Sequence, residues 1–284
     1  MCLMGFLVLI AGCKPKAPTP AAATGTDKLC LAAETGDIAA MAKLLEEGVP
    51  VDQANKVGNC PLGSAAANGQ LDAVKFLLDH GANINAANES GKTALELAVS
   101  SNGIPVTKAL LERGADLNAD KKKAVLEDPI ADGHLEMVRL LIAHGANVNS
   151  AKYSLLGVAA EHGRADVTIA LIDAGANIEG LSAYGATPLL DAAGQHNWEC
   201  SRILVEAGAN VNVSVPGDKR MPLHIAVLTA NLEMAQLLLA HGARRDVKDI
   251  NGWTPLDIAK RRPGGSSKEM LDLLQAPDSA TQRN

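Results

Sequence analysis

The stretches Met221-Pro222-Leu223-His224-Ile225-Ala226 and Thr254-Pro255-Leu256-Asp257-Ile258-Ala259 share one pattern of residue types. A stretch of the same kind begins 21 residues before each of seven glycines. These glycines recur every 30 to 34 residues, at Gly48, Gly81, Gly114, Gly145, Gly175, Gly208 and Gly242. Repetition at a nearly fixed period indicates one structural unit stacked many times.

Aligned on these glycines, the chain contains eight units that share two apolar positions. The third position is leucine in all eight units: Leu29, Leu62, Leu95, Leu126, Leu156, Leu189, Leu223 and Leu256. The sixth position is alanine in seven units: Ala32, Ala65, Ala98, Ala159, Ala192, Ala226 and Ala259. Each unit has two stretches with apolar residues at helical spacing, and the small alanine lets neighbouring helices approach closely. Neither helix can bury its apolar face alone, so the units are expected to stack.

The shared pattern resembles the T-P-L-H-x-A motif of ankyrin repeats, most clearly in the units that begin at Thr187, Met221 and Thr254. The resemblance implies an all-α ankyrin-repeat solenoid of about eight repeats over residues 27–276, followed by a C-terminal tail, residues 277–284. Each repeat would contain paired antiparallel helices and a β-hairpin finger. The closing glycines suit left-handed helix C-caps, and the Asn- and Asp-rich residues after them suit the projecting fingers.

The unit that contains Pro129 departs from the pattern. Pro129 replaces the sixth-position alanine inside the predicted first helix, where it removes one hydrogen bond and favours a kink. The linking stretches on either side of this unit are two and three residues shorter than the one from Gly81 to Thr93. We therefore expect a shallower, locally bent surface around residues 119–155. Drift within a repeat array and a notch shaped for a partner both account for such a surface.

The N-terminal residues resemble a bacterial lipoprotein signal peptide. Residues 1–12 carry no charge, and their apolar run is too short to span a bilayer as a helix. The sequence Leu9-Ile10-Ala11-Gly12-Cys13 resembles a lipobox, which implies that Cys13 becomes the lipidated N-terminus of a Pro/Ala/Thr-rich linker, residues 13–26. Lys14 after the cysteine favours the outer membrane. We expect a periplasm-facing lipoprotein of the bacterial outer membrane; a disordered apolar N-terminus is the alternative.

Composition and motifs argue against several classes of function. The net charge of −6 and the absence of a long basic run argue against nucleic-acid binding. Aromatic residues make up 2% of the chain, which leaves little material for a base-stacking or sugar-binding groove. The sequence lacks H-E-x-x-H, C-x-x-C and G-x-S-x-G motifs, and each of its seven histidines has a place in the repeat. We expect no enzymatic activity, no catalytic residues, no metal and no cofactor.

Three cysteines fall within the repeats: Cys30, Cys60 and Cys200. We interpret all three as small buried residues, most clearly Cys200, because related units carry Ala, Val or Met at its position. Three is an odd number of thiols for an oxidising compartment. The sequence leaves open whether Cys30 and Cys60 have the geometry for a disulfide bond.

Exposed aromatic residues are the best candidates for partner contacts. Tyr153 and Trp253 come immediately before the first helix of their units, and Tyr184 lies on a finger. In an ankyrin-like stack this region borders the concave face. The candidate partner-binding residues are Tyr153, Tyr184, Trp253, Arg220 and Lys123. The alternative for each aromatic residue is a ring that lies flat on its own repeat. Phe76 lies in a Leu-rich second helix, and Trp198 replaces an aliphatic residue of related units; both are interpreted as structural.

The resemblance to ankyrin repeats implies a function in binding other proteins along the concave face. The leading hypothesis is a non-enzymatic, lipid-tethered binder in the periplasm that neutralises a protein partner. Its most concrete version is an immunity protein against a secreted antibacterial effector such as a lipase. The alternative is a periplasmic scaffold or accessory factor that assists an enzyme in stress defence. Fold alone does not decide between them.

Overall fold

The computed structural model describes residues 24–55, 58–117, 124–149 and 152–276 of the chain. These residues form sixteen α-helices in eight consecutive pairs and contain no strand, so the predicted all-α solenoid is confirmed. The predicted signal peptide, Cys13, most of the linker, Lys123 and the C-terminal tail lie outside the described residues.

Each pair consists of a first helix and a second helix. The first helices are α1 Gly25–Thr35, α3 Pro61–Ala67, α5 Ala94–Ser100, α7 Glu127–Asp132, α9 Leu155–Glu161, α11 Pro188–Gly194, α13 Pro222–Leu228 and α15 Pro255–Arg261. The second helices are α2 Ile38–Glu46, α4 Leu71–Asp79, α6 Ile104–Glu112, α8 Leu135–Ala143, α10 Ala165–Asp173, α12 Trp198–Glu206, α14 Leu232–Ala240 and α16 Lys268–Gln275. Each first helix packs against the first helix of the next unit.

The core of the stack is built from the two repeated apolar positions. All seven sixth-position alanines are buried, and so are seven of the eight third-position leucines. Leu256, in the last unit, is only half-buried, because no further unit follows α15 and α16 in the described residues. The core therefore continues from unit to unit, as the stacking argument requires.

The closing glycines end the second helices as predicted. All seven have φ between +81° and +93°, in the left-handed region that favours glycine. At Gly81 the backbone N–H donates to Leu78 O (3.1 Å), and the N–H of Ala82 donates to Leu77 O (3.0 Å). This pair of bonds is a Schellman motif, which satisfies the free carbonyls at the end of α4.

The loops after these glycines join successive units through side chains. The Asp52 carboxylate accepts a hydrogen bond from the backbone N–H of Asn83 (2.8 Å), and Asn85 accepts one from Asp116 N–H (2.9 Å). The same contact recurs further along the chain, from Asn177 to Asn149, from Asn210 to Glu179 and from Arg244 to Asn212. The Asn- and Asp-rich composition therefore reflects bonds between units as well as turn formation.

The fully described fingers, which precede α5, α11, α13 and α15, are tight turns rather than two-stranded hairpins. In the finger before α5, Asn88 N–H donates to Lys92 O (2.9 Å), and in the finger before α15, Asp249 N–H donates to Trp253 O (3.0 Å). Within the described ranges, the pairing between extended residues is limited to one isolated antiparallel bridge, Ala87 with Thr93. The β-hairpin fingers implied by the resemblance are thus shortened to single closed turns.

Pro129 does not kink a helix, because α7 begins later than the other first helices. They begin at the second position of their units, apart from the longer α1, whereas α7 begins at Glu127, in the fourth position. Pro129 therefore lies in the first turn, where its missing N–H breaks no intrahelical bond. A cavity of about 150 Å³ lies between α5 and α7, lined by Glu96 and Ser100 on one side and Val125 and Asp128 on the other.

The thiols of Cys30, Cys60 and Cys200 are free and buried, which confirms their interpretation as buried residues. Cys30 also bonds to the next unit: its thiol donates to Asn59 O (3.3 Å). His224 occupies the same position of its own unit, and its Nε2 faces Trp253 O (3.3 Å) in the next unit. The carbonyls of Asn59 and Trp253 are equivalent, so both side chains join neighbouring units in the same way.

Replacement of His224 by alanine should destabilise the stack. The His224 imidazole is fully buried, accepts a hydrogen bond from Met221 N–H (3.2 Å) and contacts Val247 O (3.1 Å). His224→Ala leaves these groups without partners and should lower the free energy of unfolding by about 2–3 kcal/mol. Urea denaturation followed by circular dichroism measures this loss. His162→Ala, at an exposed histidine, should change it by less than about 0.5 kcal/mol; equal losses would refute the role of His224.

Candidate partner-binding face

The fingers before α9, α11, α13 and α15 form one continuous surface. We name these four fingers, together with the four helices that follow them, the finger face. Ser154 N–H donates to Leu181 O (3.0 Å), which joins the first finger to the second. A Cβ atom at Gly185 would lie 3.5 Å from Pro216 Cγ, so the second finger lies next to the third. Ile250 N–H donates to Asp218 O (2.9 Å), which joins the third to the fourth. Residues that are far apart in the sequence are therefore brought onto one surface.

The described candidate contact residues lie on these four successive fingers. Tyr184 is 80% exposed, Tyr153 is 43% exposed and Trp253 is 37% exposed. The Arg220 side chain is half-buried and forms an ion pair with Asp218 (3.6 Å). The structure thus places four of the five candidates on successive fingers of one side of the stack, whereas the fifth, Lys123, is outside the described residues.

The three aromatic candidates differ in whether a basic side chain of the same unit packs against the ring. The Arg261 guanidinium lies 4.9 Å from the centroid of the Trp253 ring, and Lys152 Nζ lies 5.1 Å from that of Tyr153. Such cation–π contacts hold a ring in place while part of it stays in solvent. No such contact holds Tyr184 within the described chain, which makes it the most accessible of the three.

Phe76 and Trp198 lie away from the finger face, in α4 and α12. Both are partly buried and pack against the hydrophobic core, which confirms their interpretation as structural residues. Each also contacts a histidine: Phe76 is 4.0 Å from His80 and Trp198 is 5.9 Å from His196, between ring centroids.

Two exposed aliphatic residues within the fingers themselves were not anticipated from the sequence. Leu181 is 56% exposed and Ile250 is 60% exposed, and each lies three residues before an aromatic candidate, Tyr184 or Trp253. Large apolar side chains in loops otherwise made of Asn, Asp, Gly and Ser could have revealed them. Together the four side chains give the finger face an apolar component suited to a protein interface.

A small cavity of about 190 Å³ opens under Tyr153. Its lining includes Tyr153 and Ser154 from one finger and Gly180 and Leu181 from the next. The cavity adds a depression to the finger face next to its exposed aromatic residues.

Asp191, on α11, places a carboxyl group beneath the fingers. Ser182 Oγ donates to Asp191 Oδ1 (3.2 Å), while Oδ2 is buried and has no hydrogen-bond partner in the described ranges. Burial raises the pKa of Asp191 to about 7, and repulsion from Glu161 on α9 adds to the rise. This carboxyl group therefore changes charge close to neutral pH.

The described residues meet neither the requirements of a metal site nor those of a membrane-spanning helix. No group of three or more His, Cys, Asp or Glu side chains among them could hold a metal ion. No helix in the same part of the chain is long and apolar enough to span a bilayer. What the finger face does present is exposed apolar side chains and charged groups arranged over four fingers.

The raised pKa of Asp191 predicts a pH-dependent loss of stability. Because the folded pKa lies above the ordinary value, the stabilising protonated form is fully present near pH 4 and is lost as the pH rises through 7. Asp191→Asn should therefore gain stability relative to the unmodified chain between pH 5 and pH 8, by about 1–2 kcal/mol after allowance for partial solvent screening.

Urea denaturation at several pH values measures this gain. Asp166→Asn, at an exposed carboxylate on α10, is the matched control and should show no comparable gain. A difference for Asp191→Asn that does not vary with pH would mean that Asp191 titrates normally.

Comparisons with known proteins agree with the geometry. A family model described as ankyrin repeats (3 copies) matches residues 29–121 and 126–215, and one described as ankyrin repeats (many copies) matches residues 204–259. A solved ankyrin repeat domain from Acinetobacter baumannii AYE is 28% identical, with a TM-score of 0.60. That similarity covers 64% of this chain and 98% of the solved chain.

Similar curated proteins share only part of their length with this chain. Ankyrin repeat and KH domain-containing protein 1 of Homo sapiens is 35% identical over 39% of this chain and 4% of its own length. Putative palmitoyltransferase ZDHHC13 of Danio rerio is 29% identical over 55% of this chain and 25% of its own length. This chain therefore spans only a small part of either protein. Because the family models match most of the chain between residues 29 and 259, it belongs to the ankyrin-repeat family, whose repeats form a protein–protein interaction domain.

Proposed function

We propose that this chain is a non-enzymatic binding protein that holds one protein partner on its finger face. The observation that carries the proposal is the run of exposed side chains on four joined fingers, from Tyr153 to Trp253. Core packing gives no reason for Leu181, Tyr184 and Ile250 to be large and apolar, since most of each side chain is in solvent. Binding a partner would bury them.

We further propose that the protein is a lipoprotein anchored through Cys13, on the periplasmic side of the bacterial outer membrane. The support is the lipobox-like sequence that ends at Cys13, with Lys14 after it, and the Pro/Ala/Thr-rich linker that follows. Acyl chains on Cys13 would hold the protein at the membrane without a spanning helix. The linker would leave the finger face free to meet a partner near the membrane surface.

Within this setting, the leading role is that of an immunity protein which sequesters and neutralises a secreted antibacterial effector, such as a lipase. A binder anchored at the membrane would be well placed against an enzyme that attacks membranes. The second candidate is a scaffold or accessory factor that assists an enzyme in stress defence. The two roles differ in what happens to the partner's activity, which falls in the first case and persists or rises in the second.

The first test is capture of the partner and measurement of its affinity. Protein bound by the full chain from lysates of its own and neighbouring strains is identified by mass spectrometry, and its dissociation constant is measured by biolayer interferometry. Tyr184→Ala and Trp253→Ala should each weaken binding at least tenfold, as expected for aromatic anchors of an interface. Ile169→Ala is the matched control, because Ile169 is 43% exposed on a second helix, α10, and should leave binding unchanged.

An unchanged affinity in both finger variants would exclude the finger face as the binding site. The partner's enzymatic activity, measured with and without the chain, then separates the two roles. Inhibition at one-to-one stoichiometry supports the immunity role, and unchanged or increased activity supports the accessory role.

The second test concerns the anchor. Cys13→Ser removes the acylated thiol, so the protein should move from the membrane fraction to the soluble fraction and should no longer incorporate a labelled fatty acid. Cell fractionation and metabolic labelling measure the two effects. Cys2→Ser, within the predicted signal peptide, is the control and should change neither. A Cys13→Ser protein that stays on the membrane would contradict the lipoprotein proposal.

A further inference from the structure

Cys30 and Cys60 lie beside each other at the junction between the first two units. Cys30 is the fourth residue of the first unit, on α1, and Cys60 is the first residue of the second unit, directly before α3. Both thiols are free and buried, and the Cys30 thiol donates a hydrogen bond to Asn59 O (3.3 Å). Planar peptide geometry holds the Cys60 Cα about 2.8 Å from that oxygen, so the Cys30 sulfur lies within about 6 Å of this Cα.

This separation is close to that of a disulfide bond. Each sulfur of a disulfide lies about 4 Å from the partner's Cα, so the Cys30 sulfur needs to approach the Cys60 Cα by at most about 2 Å. A change of side-chain rotamer moves a sulfur atom by a similar distance. Burial raises the pKa of the Cys30 thiol to about 11, and the neighbouring Cys60 sulfur adds to the rise. The two sulfur atoms are therefore close enough to affect each other.

Neither cysteine is explained by the hydrogen bonds of the repeat. Thr93 and Thr254 occupy the position of Cys60, and each hydroxyl accepts a hydrogen bond from the backbone N–H three residues later, which caps its helix. Cys60 gives α3 no such bond. At the position of Cys30, His224 contacts the next unit through an imidazole, whereas a thiol is a weak donor. Two stronger hydrogen-bonding residues are thus replaced by a pair of thiols.

The first unit has the most to gain from a covalent bond, because within the described chain it packs against one neighbour only. Leu31, the fifth residue of this unit, is 59% exposed, whereas Ile225 and Ile258, at the same position of later units, are buried. Likewise, Leu44 on α2 is half-buried, whereas Leu77, at the equivalent position of α4, is fully buried. A terminal unit with one interface opens more readily than an internal unit with two.

We propose that Cys30 and Cys60 form a disulfide bond in an oxidising compartment, and that this bond fastens the first unit to the second. This inference rests on the proposed periplasmic location, because oxidising compartments allow such bonds to form and persist. The folded thiols are buried, so the reaction takes place before the first unit folds or while it is open.

The oxidant is the disulfide of a thiol–disulfide oxidoreductase. One cysteine thiolate attacks this disulfide and forms a mixed disulfide with one sulfur of the oxidoreductase. The second cysteine thiolate then attacks the sulfur of the first cysteine, which forms the bond between Cys30 and Cys60 and releases the oxidoreductase as a dithiol. In sum, the two thiols pass two electrons and two protons to the oxidoreductase.

Refolding in a redox buffer tests the pair. The full chain with Cys2→Ser and Cys13→Ser, which keeps the three cysteines of the repeats, is unfolded and reduced in urea and then refolded with reduced and oxidised glutathione. Alkylation and mass spectrometry should find one free thiol, and peptide mapping should place the bond between Cys30 and Cys60. Hydrogen exchange of the α1 and α2 amides should be about tenfold slower, or more, in the oxidised form than in the reduced form. Exchange in α15 and α16 should not change.

Cys200→Ser in the same background is the matched control and should form the bond as before, whereas Cys30→Ser and Cys60→Ser should form no intramolecular bond. Three free thiols after refolding, a bond that includes Cys200, or a bond that leaves exchange in α1 and α2 unchanged would overturn the inference. Thiol trapping in intact cells separates this result from the proposed location. A pair that oxidises in the redox buffer but stays reduced in cells would contradict the periplasmic location and leave the inference standing.

Discussion

Close packing of successive first helices through the sixth-position alanine is the constraint on which the rest of the structure depends. A larger side chain at Ala98 or Ala192 would push neighbouring units apart, because both are fully buried between them. The hydrogen bonds between loops, such as Asp52 to Asn83, form only when the units sit at this spacing. Pro129 is the single exception at this position, and a cavity lies beside its helix.

The same constraint explains why the finger face can present charged, aromatic and aliphatic side chains. The core is formed by the leucine and alanine positions, so Tyr153, Arg220 and Trp253, just before the first helices of their units, remain outside it. Tyr153, Arg220 and Trp253 share this place in the repeat but differ in chemistry. Asp191 lies on α11, beneath the fingers. Burial and the charge of Glu161 both disfavour its ionised form, so its protonation state affects the stability of the stack.

Features set by the repeated pattern, including the helix pairs and their stacking, could be predicted from the sequence, whereas features set by individual residues and their particular contacts could not. The leucine and alanine positions gave the helix pairs, and the left-handed conformation of Gly81 followed from its place after an apolar helix. The late start of α7 was missed because the effect of Pro129 depends on where the helix begins. The raised pKa of Asp191 arises from contacts with Ser182 and Glu161, which no local pattern reveals. Likewise, the exposure of Leu181 becomes visible only when adjacent fingers are in place.

The joined fingers have a consequence for how such a protein can evolve. Three of the four fingers carry a candidate contact residue, Tyr153, Arg220 or Trp253, at the same position of the repeat, outside the repeated leucine and alanine positions of the core. A substitution there alters recognition with little effect on folding, so a new partner can be acquired through single changes in separate units. The continuous surface from Tyr153 to Trp253 is therefore a modular binding surface. The contact residues of one repeat can change without a change in the others.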